Sequence, residues 1–225
     1  MLRSAVRIFI MIVALVAVLV LAAVTWLMTR GPGPAQAARI ADVLQSTALP
    51  GEPAAYAHCV SCHLHDGSGR PDGSIPRLAG QRRAVLENKL YRLKTGMIRL
   101  SVMEPYARTL PPKEITAIAS YLSKLPELEL RPSQASKAEQ AHGASLFTRH
   151  CASCHGANGE GNDGIFASRL CGQYAGYLVR RLEEAAAGTR GDADAIMQGI
   201  VDTVPAEDLS PIVAWLAVGE GCPSP

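Results

Sequence analysis

Apolar residues recur at helical spacing over most of the chain, and no segment alternates apolar and polar residues with the period of a strand. One predicted helix is ended by Gly96 and a second, similar helix by Gly188. A further helix is expected to begin at Pro111–Pro112, because proline is favoured in the first turn of a helix. The pattern therefore predicts an all-α fold. The residues on the apolar faces of the first two helices are Leu86, Leu90, Leu93, Leu178, Leu182 and Ala185.

A single long apolar run lies near the N-terminus, over residues 8–28, between Arg7 and Arg30. About 20 apolar residues in a helix cross the hydrocarbon core of a bilayer. A cleaved secretory signal is the alternative, with Ala35-Gln36-Ala37 as the cleavage site, but the apolar core of a signal is shorter. We favour a retained anchor in residues 1–30, with a cytoplasmic tail according to the positive-inside rule, followed by a linker over residues 31–50. Everything after this anchor is expected on the periplasmic side of the inner membrane.

The rest of the chain contains an internal repeat. A shift of 92 positions places Arg77-Leu78-Ala79-Gly80-Gln81 on Arg169-Leu170-Cys171-Gly172-Gln173. Further along, two inserted residues change the shift to 94, and Met103 then falls on Met197. Repeated registers of this kind indicate a duplicated domain. The expected organisation is domain 1 over residues 51–125, an interdomain linker over residues 126–138 and domain 2 over residues 139–225.

The second copy departs from the first in its last helix, which contains Pro211 several residues inside the matching segment. Proline lacks the backbone donor that a helix interior uses and clashes with the preceding turn. We therefore expect this helix to start later than its counterpart or to be kinked.

Each copy contains one Cys-x-x-Cys-His motif, which is the attachment site of a c-type haem. Two thiols at i and i+3 lie on one side of a turn, where each can form a thioether with a haem vinyl group, and the histidine can bind the iron. Two Cys-x-x-Cys pairs could instead form a four-thiolate zinc site, although such pairs usually lie closer in sequence and need no histidine. The motif residues are Cys59, Cys62, His63, Cys151, Cys154 and His155.

The opposite face of each iron requires a second axial ligand, and methionine is the best candidate. Domain 2 has only Met197, whereas domain 1 has Met97 and Met103, of which the repeat register selects Met103. A thioether opposite histidine raises the reduction potential and suits a one-electron carrier. The alternative is that these methionines only fill the core.

Two cysteines remain outside the motifs, Cys171 and Cys222. In the oxidising compartment where c-type haem is attached, a disulfide between them is the simplest expectation. Alternatively, Cys171 could bind an iron as a thiolate, which would lower the potential and suggest sulfur chemistry.

The order of these motifs resembles class I cytochrome c domains. The relevant segments are Cys-x-x-Cys-His, then Pro76-Arg77-Leu78-Ala79-Gly80-Gln81, then Met103-Glu104-Pro105, and then a helix ending in Ala-x-Tyr-Leu. In tandem, these domains resemble the dihaem cytochrome c4 family, here as a membrane-anchored variant. The resemblance implies two tandem class I cytochrome c domains after an N-terminal transmembrane helix. It also implies that the chain is a periplasmic carrier that passes electrons toward terminal oxidases. A second implication is a role as the cytochrome subunit of a dehydrogenase, which related dihaem domains have.

Charge refines this picture. The formal net charge of +2 is too small to indicate a nucleic-acid partner. Residues 40–130 contain 11 Lys and Arg against 9 Asp and Glu, whereas residues 131–225 contain 7 against 11. Domains of opposite sign would steer different redox partners to the two haems.

The expected function is therefore non-enzymatic electron transfer by a membrane-anchored dihaem c-type cytochrome. It would carry single electrons in a respiratory chain between a quinol-oxidising complex or dehydrogenase and a terminal oxidase. The alternative is a haem subunit or dihaem enzyme of a periplasmic dehydrogenase, peroxidase or thiosulfate-oxidising system. The sequence shows no acid–base constellation beyond the haem residues, which favours the carrier.

Overall fold

The structure, a computed structural model, describes residues 48–126, 135–189, 195–219 and 222. These residues belong to one compact unit, Ala48–Pro225. The predicted anchor in residues 1–30 lies outside the described residues, as does most of each predicted linker. Within the described ranges, no helix is both long and apolar enough to cross a bilayer.

The first repeat is helical, as predicted. A 3₁₀ helix spans Ala54–His58 and leads into the single turn α1, Val60–His63. The amphipathic helix α2 spans Arg83–Lys94 and is followed by a turn in which Gly96 has a φ of +76°. A short helix α3, Glu104–Thr109, precedes α4, Pro112–Lys124, whose first residue is the expected proline.

The second repeat has the same order with longer flanking elements. Helix α5 spans Lys137–His150 and is followed by the single turn α6, Ala152–His155. A 3₁₀ turn at Asp163–Ile165 precedes α7, Ala175–Ala186. Helices α8, Ala195–Val201, and α9, Ala206–Val218, complete the repeat. In the described parts of the chain, the isolated bridge between Asn162 and Ala167 is the only β pairing, so the mostly helical prediction is confirmed.

Helix α9 corrects the expectation of a later start, because it begins at Ala206 and continues through Pro211. Its partner α5 approaches it unusually closely at Gly143, where an added Cβ would lie 2.2 Å from the Pro211 carbonyl oxygen. Phe147 of α5 and Trp215 of α9 pack with their ring centroids 4.8 Å apart. This packing against α5 stabilises a helix whose local sequence disfavours it.

Each repeat buries its own hydrophobic core, and the two cores use equivalent positions. Fully burying one leucine side chain stabilises a fold by about 1.5–3 kcal/mol, so these clusters dominate the stability of each repeat. The shared arrangement confirms that the repeat in the sequence is a repeat in the structure. Equivalent buried residues are Leu86 and Leu178, Leu110 and Val204, Ile118 and Ile212, Ala119 and Val213, and Leu122 and Leu216.

The loop after each single-turn helix is also duplicated. Gly67 and Gly159 both have positive φ, and an added Cβ at either would lie 2.9 Å from a leucine side chain of the last helix, Leu122 or Leu216. Glycine is required at such positions by both backbone conformation and space. The loop is thereby held against the last helix of its own repeat.

Candidate haem-binding sites

The first Cys-x-x-Cys-His motif forms one tight turn. The carbonyl oxygen of Cys59 accepts hydrogen bonds from the backbone N–H groups of Cys62 at 3.2 Å and His63 at 2.9 Å. In the second motif, the carbonyl oxygen of Cys151 accepts the equivalent bonds at 3.2 and 3.0 Å. All four motif cysteines are free of disulfides and partly accessible. The turn therefore presents two thiols and an imidazole from five consecutive residues, as thioether attachment requires.

Each motif histidine is buried and held by one backbone carbonyl. The distance from His63 Nδ1 to the Pro76 carbonyl oxygen is 3.3 Å, and that from His155 Nδ1 to the Ser168 oxygen is 2.8 Å. Because a carbonyl only accepts, Nδ1 carries the proton in this arrangement and leaves Nε2 available to a metal. Burial lowers the pKa of both imidazoles, outweighing the carbonyl hydrogen bond, and this favours the neutral form that binds iron.

The placement of the cysteines fits haem attachment better than zinc. Burial, with a smaller effect of the second cysteine in each motif, raises the pKa of the Cys59 and Cys151 thiols to about 11. A bound zinc ion would itself deprotonate such thiols, so the geometry decides between the two. No three metal-binding side chains converge within the described ranges, so the two pairs do not meet in a four-thiolate site.

The two predicted distal ligands lie at different points of their local helices. Met103 is the residue before α3 and packs, half-buried, against a small cluster made of Leu93, Ile98 and Ala107. Met197 lies within α8, which packs against α7. Met97, the rejected alternative, is half exposed. Iron ligation by Met103 and Met197 stays a prediction.

The structure joins Cys171 to Cys222 by a disulfide that closes a separation of 51 residues. Cys171 is buried in the core of the second repeat, next to the loop that carries Arg169. With its sulfur in this bond, Cys171 is not available as a thiolate ligand.

The two repeats are joined by reciprocal hydrogen bonds that sequence reasoning missed. The side chain of Gln173 accepts from the Arg77 backbone N–H at 3.1 Å and donates to its carbonyl at 3.0 Å. The side chain of Gln81 makes the same two bonds with Arg169, at 2.8 and 2.9 Å. The signal in the sequence was the repeated pentapeptide, because the glutamine of each copy forms the same pair of hydrogen bonds with the other repeat. We call each pair of bonds a clamp.

Further contacts across this interface differ between the two sides. Arg82 forms a two-pronged ion pair with Asp163, with distances of 2.7 and 2.8 Å. At the position equivalent to Arg82 stands Tyr174, whose hydroxyl donates to the Ser68 carbonyl at 2.9 Å. The interface is thus symmetric in its backbone clamps and asymmetric in charge.

The residues present fit two c-type haems. Each site combines two thiols for attachment with a buried neutral imidazole, and the guanidinium of Arg77 is a buried cation whose Nε lacks a hydrogen-bond partner. Haem supplies a vinyl pair, an iron and carboxylates, which match these three features. Two such sites in one helical unit define a dihaem c-type cytochrome.

Comparison with known proteins also indicates c-type cytochrome domains. The cytochrome c family matches residues 140–218, and the family described as cytochrome c oxidase, cbb3-type, subunit III matches residues 46–122. A thiosulfate dehydrogenase electron acceptor of Stutzerimonas stutzeri is 30% identical over 174 residues, covering 73% of this chain and 80% of the relative.

Solved structures extend the likeness to the fold. Reduced cytochrome c4 from Pseudomonas stutzeri superposes with a TM-score of 0.61 at 27% identity, covering 72% of this chain and 93% of that one. A thiosulfate dehydrogenase from Marichromatium purpuratum gives a TM-score of 0.59 at 29% identity, covering 71% of this chain and 36% of that one. The chain belongs to the dihaem cytochrome c4-like family. It therefore carries two covalently bound c-type haems and transfers electrons without being an enzyme.

Proposed function

We propose that this cytochrome is tethered to the inner membrane and carries single electrons in a respiratory chain. It takes them from a quinol-oxidising complex or a dehydrogenase and delivers them to a terminal oxidase. The observation that carries the proposal is the pair of equivalent haem sites in one unit, clamped together by Gln81 and Gln173. Bound haem supplies a one-electron iron couple; the protein supplies the axial histidines, a buried setting and a fixed arrangement of two stations.

The names of the relatives support both ends of this path. One relative is named as an electron acceptor of thiosulfate dehydrogenase, and the first repeat matches a family named for a subunit of a cbb3-type oxidase. A dehydrogenase as donor and an oxidase as acceptor are therefore the partners we propose. A haem subunit of a thiosulfate-oxidising system is the second candidate, favoured by the likeness to the Marichromatium enzyme.

A patch near Met103 suits the docking of a redox partner. Three large apolar side chains, Met97, Val102 and Tyr106, are about half or more exposed around this segment. Two exposed cations, Arg99 and Arg108, lie in the same stretch, and the Arg108 charge is shared with Glu104. An apolar centre with a basic rim fits a partner whose own docking surface is apolar and acidic. Exchange at this surface would concern the first haem.

The tether rests on the apolar run at residues 8–28, which is long enough to span a bilayer. Anchoring would confine the haem domains to a layer close to membrane-bound partners and raise their effective concentration there. The haem domains would lie in the periplasm, where c-type haem is attached.

The test uses the full chain with both haems and a matched variant that lacks residues 1–30 and is exported by a cleavable signal. We expect the full chain to stay with membranes after an alkaline carbonate wash and the variant to be released. Both proteins are then reduced by thiosulfate dehydrogenase or by a quinol-oxidising complex, and reoxidation by membranes containing a cbb3-type oxidase is followed optically.

Faster turnover of the full chain than of the variant, with both haems reduced and reoxidised, would support the tethered carrier. Release of the full chain by carbonate would contradict the tether. Stable copurification with a dehydrogenase, together with no reoxidation by the oxidase membranes, would contradict the carrier and favour the subunit.

A further inference from the structure

Arg77 carries a buried positive charge that no acidic residue of the described chain neutralises. The residue is only 5% exposed, and its Nε has no hydrogen-bond partner. Its guanidinium lies over the ring of Tyr174, 5.2 Å from the centroid. The interface carboxylate of Asp163 is engaged by Arg82. A cation–π contact is worth far less than the cost of removing a charge from water. The buried guanidinium of Arg77 therefore requires an anionic partner.

A second cation lies beside the first. Arg169, the equivalent residue of the second repeat, is 6% exposed and lines the same small cavity between the repeats. This cavity has room for about one water molecule. Two buried guanidinium groups therefore line one cavity in this interface.

The position of Arg77 points to the source of that charge. Pro76, the residue before it, holds the axial histidine His63 through its carbonyl oxygen. Arg77 is therefore anchored beside the first haem, and haem carries two propionate carboxylates. We propose that Arg77 is the counter-ion of a propionate of the first haem and thereby raises the reduction potential of that haem. This inference rests on the haem content of the protein and not on its tether or partners.

The second repeat positions this counter-ion. Gln173 fixes the Arg77 backbone on both sides, and the neighbouring Tyr174 lies against the guanidinium. In the opposite direction, the residue equivalent to Tyr174 is Arg82, a cation paired with Asp163, so the two sides of the interface differ at this position. The second domain therefore tunes the first haem through Tyr174.

The sign of the effect follows from charge. A cation near the haem stabilises the reduced iron, which has one positive charge less than the oxidised iron, so its removal lowers the potential. The same cation keeps its carboxylate partner ionised, so its removal lets a propionate gain a proton as the pH falls. The variant's first-haem potential should then depend on pH where that of the wild type does not.

The test is an optical redox titration of the purified, haem-loaded full chain between pH 5 and 8. The variants are R77Q, R77K as the charge-conserving rescue, and R83Q as the matched control, because Arg83 is exposed and pairs with Glu87. A protein lacking Cys59 and Cys62 keeps only the second haem and assigns the two redox waves. We expect R77Q to lower the potential of the first haem alone and to make it pH-dependent, R77K to restore most of it, and R83Q to change neither wave.

Equal shifts in R77Q and R83Q, or a shift of the second haem alone, would overturn the proposal. If R77Q does not incorporate the first haem, Y174L carries the test, because it keeps the charge but removes the ring that holds it. An unchanged first-haem potential in Y174L would then overturn the proposal. These measurements use no electron-transfer partner, so their failure is distinct from failure of the proposed function.

Discussion

At the scale of single residues, the haem sites are defined by short-range chemistry. Five consecutive residues supply both thiols and the proximal imidazole, and one carbonyl sets the tautomer of each histidine. Such features can be recognised in the sequence because they depend only on residues that are neighbours along the chain. The predicted distal ligands do not have this property, since they lie 40 or more residues after the motif histidines.

The distal assignment gives a residue-scale prediction. We predict that replacing Met197 with alanine opens the sixth position of the second iron, because α8 then offers no thioether to it. We expect about half of the weak red absorption of methionine–iron coordination to be lost and the reduced protein to bind carbon monoxide at one haem. M103A should do the same at the first haem. M97A is the control, since Met97 is half exposed, and an unchanged spectrum in M197A would refute its role.

At the scale of elements, the two repeats differ in the helix that leads into the haem motif. The first repeat uses the 3₁₀ helix Ala54–His58, whereas the second uses the long helix α5, which begins with a capping box at Ser136. The repeat register alone did not indicate this difference, because aligned glycines take different roles. Gly51 lies in a turn with positive φ, and its equivalent Gly143 lies inside α5 against α9.

Two helical glycines give an element-scale prediction. In G143A the new methyl group would clash with the Pro211 carbonyl at 2.2 Å, so we expect the free energy of unfolding to fall by about 1–3 kcal/mol. Gly199 in α8 has nothing within 4 Å of an added Cβ, so G199A should raise the free energy of unfolding by up to about 1 kcal/mol. Urea unfolding of both variants measures the difference. Equal stability changes would show that α5 and α9 are not tightly packed at this point.

At the scale of the whole molecule, the reciprocal clamps make one unit of two repeats. Each glutamine satisfies a backbone N–H and a carbonyl of the other repeat, and such buried groups are costly when left without partners. The two haem-binding repeats are thereby held in one fixed arrangement. The clamp also holds Arg77 in place, which links the stability of the interface to the potential of the first haem.

Removing one clamp gives a prediction for the whole molecule. In Q173A the Arg77 N–H and carbonyl lose their partners, and we expect the free energy of unfolding to fall by about 1–3 kcal/mol. Q140A is the matched control, because the Gln140 side chain donates to the Ala135 carbonyl, a contact within the second repeat. Unfolding is followed by circular dichroism and by haem absorbance. A Q173A protein as stable as Q140A would contradict the role of the clamp.

The haem motifs, the duplication and the helical fold could be predicted from the sequence because each depends on local spacing. The structure bears out the helical fold and the repeat. The tolerance of Pro211 inside α9 could not be predicted, because local propensity was overridden by packing against Gly143.

The sequence by itself determined that the chain attaches two haems in two similar domains, because attachment needs only five adjacent residues in each copy. Only the tertiary structure decided how those domains meet. The pentapeptide that repeats in the sequence became a mutual clamp, and the arginine of its first copy, Arg77, became a buried cation without an acidic partner among the described residues. Burial and cross-repeat contacts depend on the packing of distant segments, and no local pattern records them.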